Sequence, residues 1–183
     1  RTLCLVLALV CIGTVLADDP ELTCRMVQGK NPVRVVLDSQ LRISLMATVL
    51  NPAANTIIIT SLEADAVKAE ALNALPNVEV VRLPLEKGRL PIDLVVTALA
   101  QRGITSLLVE GGSAMLGAFK DAGFGDRVYA FIAPKLVGGS QGFTPIGGVG
   151  CDYIEDSWKL DEVEYKLLGQ DLMITGLVRK EDA

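Results

Sequence analysis

The sequence predicts an α/β fold: a mainly parallel sheet with helices on both faces and a C-terminal antiparallel hairpin. Three features predict it. Short apolar runs rich in β-branched residues recur along the 183 residues, with helix-like stretches between them. The central runs are apolar throughout, as strands covered on both faces are. The last two runs alternate in polarity and are split by Gly169-Gln170, which reads as a hairpin. The length suits one domain with a sizeable core, and a single domain over residues 1–183 is expected.

Taken in order, the first apolar run extends from Leu3 to Ile12. With Arg1 before it and Ala17 ahead of Asp18 and Asp19, it imitates a secretory leader. On that reading residues 1–17 would be removed. The stretch GTVLADDPELTCR reads as one functional unit crossing the apparent cleavage point, which favours a buried strand feeding a loop. Val33–Leu37 and Thr56–Thr60 are the next strands, and Ser61 is expected to cap a helix from Leu62 to about Leu75. Val78–Leu83 is a further strand, with a turn at Lys87-Gly88. Pro91 suits the first turn of a helix to Arg102, closed by Gly103. Ser106–Val109 is a strand ending at Glu110, and Gly111-Gly112 lead into a helix from Ser113 to Ala122. Arg127–Ala133 is a strand, followed by a glycine-rich loop from Gly138 to Gly150 and the hairpin strands Leu160–Leu168 and Asp171–Val178.

Composition narrows the chemistry. Half the residues are hydrophobic, 21% are charged and 4% are aromatic, the balance of a globular protein packed with aliphatic side chains. A net charge of −5 argues against a general nucleic-acid binder, and the first apolar run is too short to span a bilayer. The absence of histidine excludes Ser-His-Asp and Cys-His nucleophilic schemes and imidazole zinc sites, so no metal is expected. Cys4, Cys11, Cys24 and Cys151 form no CxxC pair and read as buried or half-buried thiols of a reducing compartment.

Ligands of parallel sheets sit at the carboxyl ends of strands, so polar residues there are the candidates. Val109-Glu110-Gly111-Gly112-Ser113 delivers a carboxylate and then bare backbone N–H groups at a helix start, which suits a phosphate; the alternative is a plain tight turn. It is neither a G-x-G-x-x-G fingerprint nor a P-loop. Asp18 and Asp19 before Pro20 form a solvated turn on one reading. On the other, one carboxylate binds a hydroxylated ligand and Arg25 holds a phosphate. Asp38-Ser39-Gln40-Leu41-Arg42 follows a strand, and Ala133-Pro134-Lys135 with Gly138-Gly139-Ser140 forms a loop suited to a lid.

GTVLADDPELTCR, NPVRVVLDSQLR, SLLVEGGSAMLGAF, AFIAPKLVGG and LLGQDLMITGLV together resemble the reductase domain of bacterial riboflavin-biosynthesis proteins, in order and over residues 12–178. The resemblance implies a three-layer dihydrofolate-reductase-like fold. It also implies NADPH-dependent reduction of 5-amino-6-(5-phosphoribosylamino)uracil to the ribitylamino product. By motif, Thr14, Asp18, Ser39 and the stretch Gly112, Ser113, Ala114, Met115, Leu116, Gly117 and Ala118 would contact NADPH. Leu22, Arg25 and Glu110 would contact the phosphoribosyl-pyrimidine, Arg25 at its phosphate. No residue is assigned as proton donor. The sequence shows no clear group for a 2′-phosphate, so NADPH rests on the resemblance. The family context implies a cytoplasmic protein, often a multifunctional enzyme with an N-terminal deaminase domain. A homodimer is compatible with it, and neither nucleic acid nor membrane is expected as a partner.

The chain departs from the family at its beginning. An opening strand and helix with an "SLDGKIA"-like stretch, and a serine and tryptophan after them, have no counterpart, so an N-terminally truncated domain is expected. Cys11 stands where the family has glycine, and Arg1 falls out of register. A non-catalytic nucleotide-binding remnant of the domain is the competing expectation.

Overall fold

The computed structural model describes residues 6–25, 29–138 and 144–179. The beginning of the first apolar run, Arg1, Cys4, Gly139 and Ser140 lie outside the described residues. Two compact units divide the chain, Arg1–Gly112 and Ser113–Ala183.

The first unit is a parallel sheet. Its strands are β1 (Val6–Cys11), β2 (Val33–Leu37), β3 (Thr56–Ser61), β4 (Val78–Leu83) and β5 (Ser106–Val109), in the order β4-β3-β2-β1-β5. Its helices are α1 (Ile12–Asp18), α2 (Ala66–Asn73) and α3 (Ile92–Ala100). From β1 to β4 each crossover steps the same way along the sheet, and α3 then carries the chain back past β1 to β5. Right-handed crossovers therefore put α3 on the face opposite α1 and α2.

Register fixes the packing on each face. Val10, Val36, Ile58 and Val80 stand side by side across four strands. They pack with Ile12, Val15, Leu41, Ile43, Val49, Leu50 and Leu72 in one cluster. Leu9, Val35 and Ile57 form the matching row on the other face. Burying each of these side chains contributes about 1.5–3 kcal/mol before entropy is counted.

The amino ends of the strands are closed by a polar network. Arg34, fully buried in β2, donates to Asn51 Oδ1 at 2.8 Å, the Asn51 carbonyl at 2.5 Å, the Glu21 carbonyl at 3.3 Å and the Ala54 carbonyl. Burial pushes this guanidinium below its ordinary pKa, and the Glu21 charge partly opposes that. Asn77 donates to the carbonyls of Leu50, Asn51 and Ala54 at 3.2, 2.9 and 3.0 Å. Thr56 Oγ1 donates to the Val49 carbonyl at 2.7 Å. These donors hold a turn that would otherwise bury unpaired carbonyls.

The second unit holds α4 (Ser113–Asp121) and an antiparallel sheet of β6 (Arg127–Ile132), β7 (Leu160–Leu168) and β8 (Asp171–Val178), in the order β6-β8-β7. The hairpin β7–β8 turns at Gly169-Gln170 as expected, with Leu168 opposite Asp171. It pairs with β6 in a sheet of its own, separate from the parallel one.

Three local expectations are corrected. GTVLADD forms α1 and not a loop: its Ile12 and Val15 are buried in the core, and that packing outweighs poor helix propensity. Ser61 is not a helix cap. It ends β3, with its N–H bonded to the Ser39 carbonyl at 3.2 Å. The cap is Asp65, whose carboxylate accepts from the N–H groups of Val67 and Lys68 at 2.9 and 3.2 Å. Pro91 takes the cap position, one residue before α3 begins.

Candidate active site

Because the connections from β1 and into β5 run in opposite directions along the sheet, the carboxyl ends of these neighbours form a topological switch point. Ligands of open parallel sheets bind at such points, where the loops of neighbouring strands diverge. Cys11 ends β1 at this point, and Glu110-Gly111-Gly112 follow β5. The Glu110 N–H is fastened to the Leu9 carbonyl at 2.8 Å, which continues the ladder by one residue and fixes where its side chain leaves the sheet.

The Cys11 sulfur gathers donors from both strand ends. Its Sγ lies 3.6 Å from Thr14 Oγ1. Burial raises the thiol pKa, but the Thr14 hydroxyl and the N–H groups of Thr14, Gly112 and Gly13 outweigh it and hold the thiol below its ordinary value. The same backbone N–H groups and the open space at Gly112, where an added Cβ would meet nothing within 4 Å, make a cradle for an anionic or polar group.

The expected site residues divide by position. Thr14, Ser39, Glu110 and Gly112 all follow the carboxyl ends of adjacent strands β2, β1 and β5. Asp18 lies one turn beyond Thr14 on the same face of α1, exposed and with no side-chain partner among the described residues. Asp19 is different. It is a left-handed residue closing α1, and its carboxylate accepts from the Thr48 N–H at 2.8 Å and the Thr48 hydroxyl at 2.6 Å. These two bonds hold the Asp19 carboxyl below its ordinary pKa. The paired carboxylates thus separate into one anchor, Asp19, and one uncommitted group, Asp18.

Leu22 and Arg25 are not brought to the carboxyl edge. The Cys24 N–H donates to Asn31 Oδ1 at 3.0 Å, and Asn31 donates to the Ala53 carbonyl at 2.9 Å, which ties this stretch to the residues opening β2 and β3. Leu22 packs against the core. Arg25 is exposed with no partner among the described residues. Asp38 is buried, with Oδ2 accepting from the Ile43 N–H at 2.8 Å, so it folds the segment that carries Ser39.

In the second unit, Ser113 to Ala118 form the first turns of α4, with Met115 and Gly117 buried and Ala114 exposed. Part of the glycine-rich loop lies on this helix. The Gly147 N–H donates to the Ser113 carbonyl at 2.8 Å and the Val149 N–H to Asp121 Oδ2 at 2.7 Å. A Cβ on Gly117 would stand 2.3 Å from the Gly147 carbonyl carbon, so only glycine lets the loop backbone approach here.

Two contributors were missed in the sequence. Cys11 read as one more apolar thiol, and its position at a strand end was the signal. Ser61 read as a cap, although a hydroxyl closing an apolar run is equally a strand-end group.

Two cavities among the described residues of the first unit bear on where a ligand sits. The larger, about 320 Å³, is at the amino ends, where Arg102 and Glu79 pair with each other at 2.5 Å and Asn77 is already bonded. The smaller, about 240 Å³, is at the carboxyl ends and includes Ser39 and Ser61. Size alone favours the first, but the second gathers more polar side chains without a partner among the described residues, those of Ser39, Gln40, Ser61 and Glu63. Among the described residues no helix is long and apolar enough to cross a membrane.

Comparison with known proteins shows the family and the fold. Residues 6–174 match the family described as the RibD C-terminal domain. The riboflavin biosynthesis protein RibD of Actinobacillus pleuropneumoniae is 38% identical over 168 residues, covering 91% of this chain and 44% of that protein. The 2,5-diamino-6-ribosylamino-4(3H)-pyrimidinone 5′-phosphate reductase of Methanothermobacter thermautotrophicus is 36% identical over 171 residues, covering 92% of this chain and 77% of that protein. Among solved structures, a diaminohydroxyphosphoribosylaminopyrimidine deaminase/5-amino-6-(5-phosphoribosylamino)uracil reductase from Thermotoga maritima superposes with a TM-score of 0.73. It is 30% identical and covers 94% of this chain and 45% of that one. The chain spans less than half the length of the RibD proteins it matches. The chain belongs to the RibD C-terminal domain family.

Proposed function

We propose that this chain is a reductase domain that converts 5-amino-6-(5-phosphoribosylamino)uracil to its ribitylamino product with NADPH. The observation that carries the reading is the cradle at the β1/β5 switch point, where Thr14, Gly13 and Gly112 meet around the Cys11 sulfur and Glu110 follows the neighbouring strand end. Bound there, NADPH would supply a hydride to C1′ of the opened ribose. The protein's part is orientation and charge. Thr14, Asp18 and Ser39 hold the dinucleotide through hydroxyl and carboxylate contacts, with Gly112 and the α4 stretch from Ser113 to Ala118. Glu110 accepts hydrogen bonds from substrate hydroxyls.

On this reading both compact units belong to one reductase domain of residues 1–183. That domain works in the cytoplasm, follows a deaminase domain in a longer protein and pairs with a second copy of itself. The test is oxidation of NADPH by the chain with and without substrate, followed by loss of reduced-nicotinamide absorbance. Substrate-dependent oxidation that falls at least tenfold in kcat/KM for Glu110→Gln, with NADPH affinity unchanged, is the expected result. A folded chain that binds NADPH and oxidises none on adding substrate would refute the reading.

A further inference from the structure

The glycine-rich loop has no task in the proposed reaction, yet its described part, residues 144–150, is fitted closely to α4. Ser113, Gly117 and Asp121 are spaced four residues apart and so form one line along that helix. The loop meets all three. The Gly147 N–H donates to the Ser113 carbonyl at 2.8 Å, and the Val149 N–H donates to Asp121 Oδ2 at 2.7 Å. Between these bonds the Gly147–Gly148 peptide lies against Gly117.

Glycine on both partners makes this approach possible. A Cβ on Gly117 would overlap the Gly147 carbonyl, and one on Gly147 would stand 3.1 Å from the Ser113 carbonyl oxygen. A Cβ on Gly148 would overlap Asp121 Oδ2, and Gly148 also takes a left-handed φ of 87°. Glycine loses more conformational freedom on folding than other residues, so a loop that only connects β6 to β7 gains nothing from it at matched positions. Asp121 fastens one end of the contact. It also pairs with Lys120 at 3.8 Å, but at that length and open to solvent the ion pair contributes little. The other end grips Ser113, where the stretch assigned to the dinucleotide under the proposed function enters α4. The first N–H groups of a helix have no partner within it, and their aim depends on how the first turn is held.

We propose that residues 144–150 form a strap that holds the first turn of α4 in the orientation that binds NADPH, with Asp121 as the positioning residue that fastens it. The inference rests on the reductase reading for the identity of the ligand. Asp121 touches no reacting atom and acts through the loop and Ser113. Calorimetric titration with NADPH, alongside amide hydrogen exchange at Gly147 and Val149, tests it without turnover. Asp121→Ala removes the acceptor, and Gly148→Ala wedges the clasp apart from the loop side. Both should speed exchange at the two amides and weaken NADPH binding about fivefold or more. Asp121→Asn keeps an oxygen acceptor and loses only the charge, so it should match the parent in both readouts. With saturating NADPH, Asp121→Ala should keep kcat within about twofold of the parent, so that the loss falls on KM. Circular dichroism checks that each variant is folded, and both positions are exposed. Amides that stay slow in both variants, freed amides with unchanged NADPH affinity, or an Asp121→Asn variant as weak as Asp121→Ala would overturn the inference and leave the reductase reading intact. A folded parent that binds no NADPH overturns both. Weaker binding in the two freed variants, with no coenzyme oxidised by the parent on adding substrate, would sink the reductase reading and leave the strap supported.

Discussion

The two ends of the parallel sheet are built from similar polar residues and use them in opposite ways. At the amino end, Arg34, Asn51, Asn77 and Thr56 are bonded into the turn from Val49 to Ala54. At the carboxyl end, the side chains of Ser39, Ser61, Glu63 and Glu110 have no partner among the described residues. Hydrogen-bonding capacity committed to the chain's own carbonyls stabilises the fold, and capacity left open is available to a ligand. The larger cavity at the amino end is lined mostly by apolar side chains and by groups already bonded to the chain, while the smaller one at the carboxyl end gathers side chains with open hydrogen-bonding capacity. Substitutions at the two ends should separate stability from activity.

The largest expected effect is on Arg34. Arg34→Met removes the donors to the Asn51 and Ala54 carbonyls and should cost about 3–5 kcal/mol. At roughly 2–4 °C per kcal/mol for a chain of this size, Tm should fall by about 6–20 °C. Asn77→Ala comes next, at about 1–3 kcal/mol, because the same carbonyls keep Arg34 as a partner. A drop in Tm below about 1 °C for either variant would mean that the amino-end network is not what holds the turn.

A smaller effect should follow pH. Asp19 has its folded pKa depressed by Thr48, so its contribution is present above the ordinary carboxyl value of 3.8 and is lost as pH falls through the lower folded value. Thr48→Val should therefore be less stable than the parent near neutral pH, and the two should converge in acid. Equal stability across the range, read from thermal melts at stepped pH, would show that Asp19 is not an anchor. Smallest in stability are Ser39→Ala and Glu110→Gln, each within about 0.5 kcal/mol of the parent. Both should still lower kcat/KM at least tenfold. A melting shift as large as that of Asn77→Ala would place them with the structural residues.

Much of this layout was legible in the sequence, for identifiable reasons. VRVVL, TIIIT and VEVVRL are apolar and β-branched, and each became a strand within a residue of its expected bounds. The turn at Lys87-Gly88 was also readable. Both residues take positive φ, 50° and 75°, and Glu86 and Arg89 bond across it. The helix α1 was not, because glycine, threonine and valine in GTVLADD are weak helix formers and only contacts distant in sequence order them. Leu41 and Ile43 enter the core from a stretch without periodicity, held by the Asp38 carboxylate. The sequence likewise gave no means to tell Asp18 from Asp19, since the difference is a bond to Thr48, 29 residues away from Asp19. Placing Thr14, Ser39, Glu110 and Gly112 at one edge followed from the strand pattern, whereas the position of Arg25 depended on Asn31.

The central claim is that the carboxyl end of the sheet, and not the amino end, receives the dinucleotide. Amide hydrogen exchange with and without saturating NADPH tests it most directly. The account predicts slowed exchange at Gly13, Thr14, Ser39 and Gly112, with no change at Asn31, Asn55 or Asn77. Protection confined to the residues around Asn55 and Asn77, or binding that protects neither end, would contradict it.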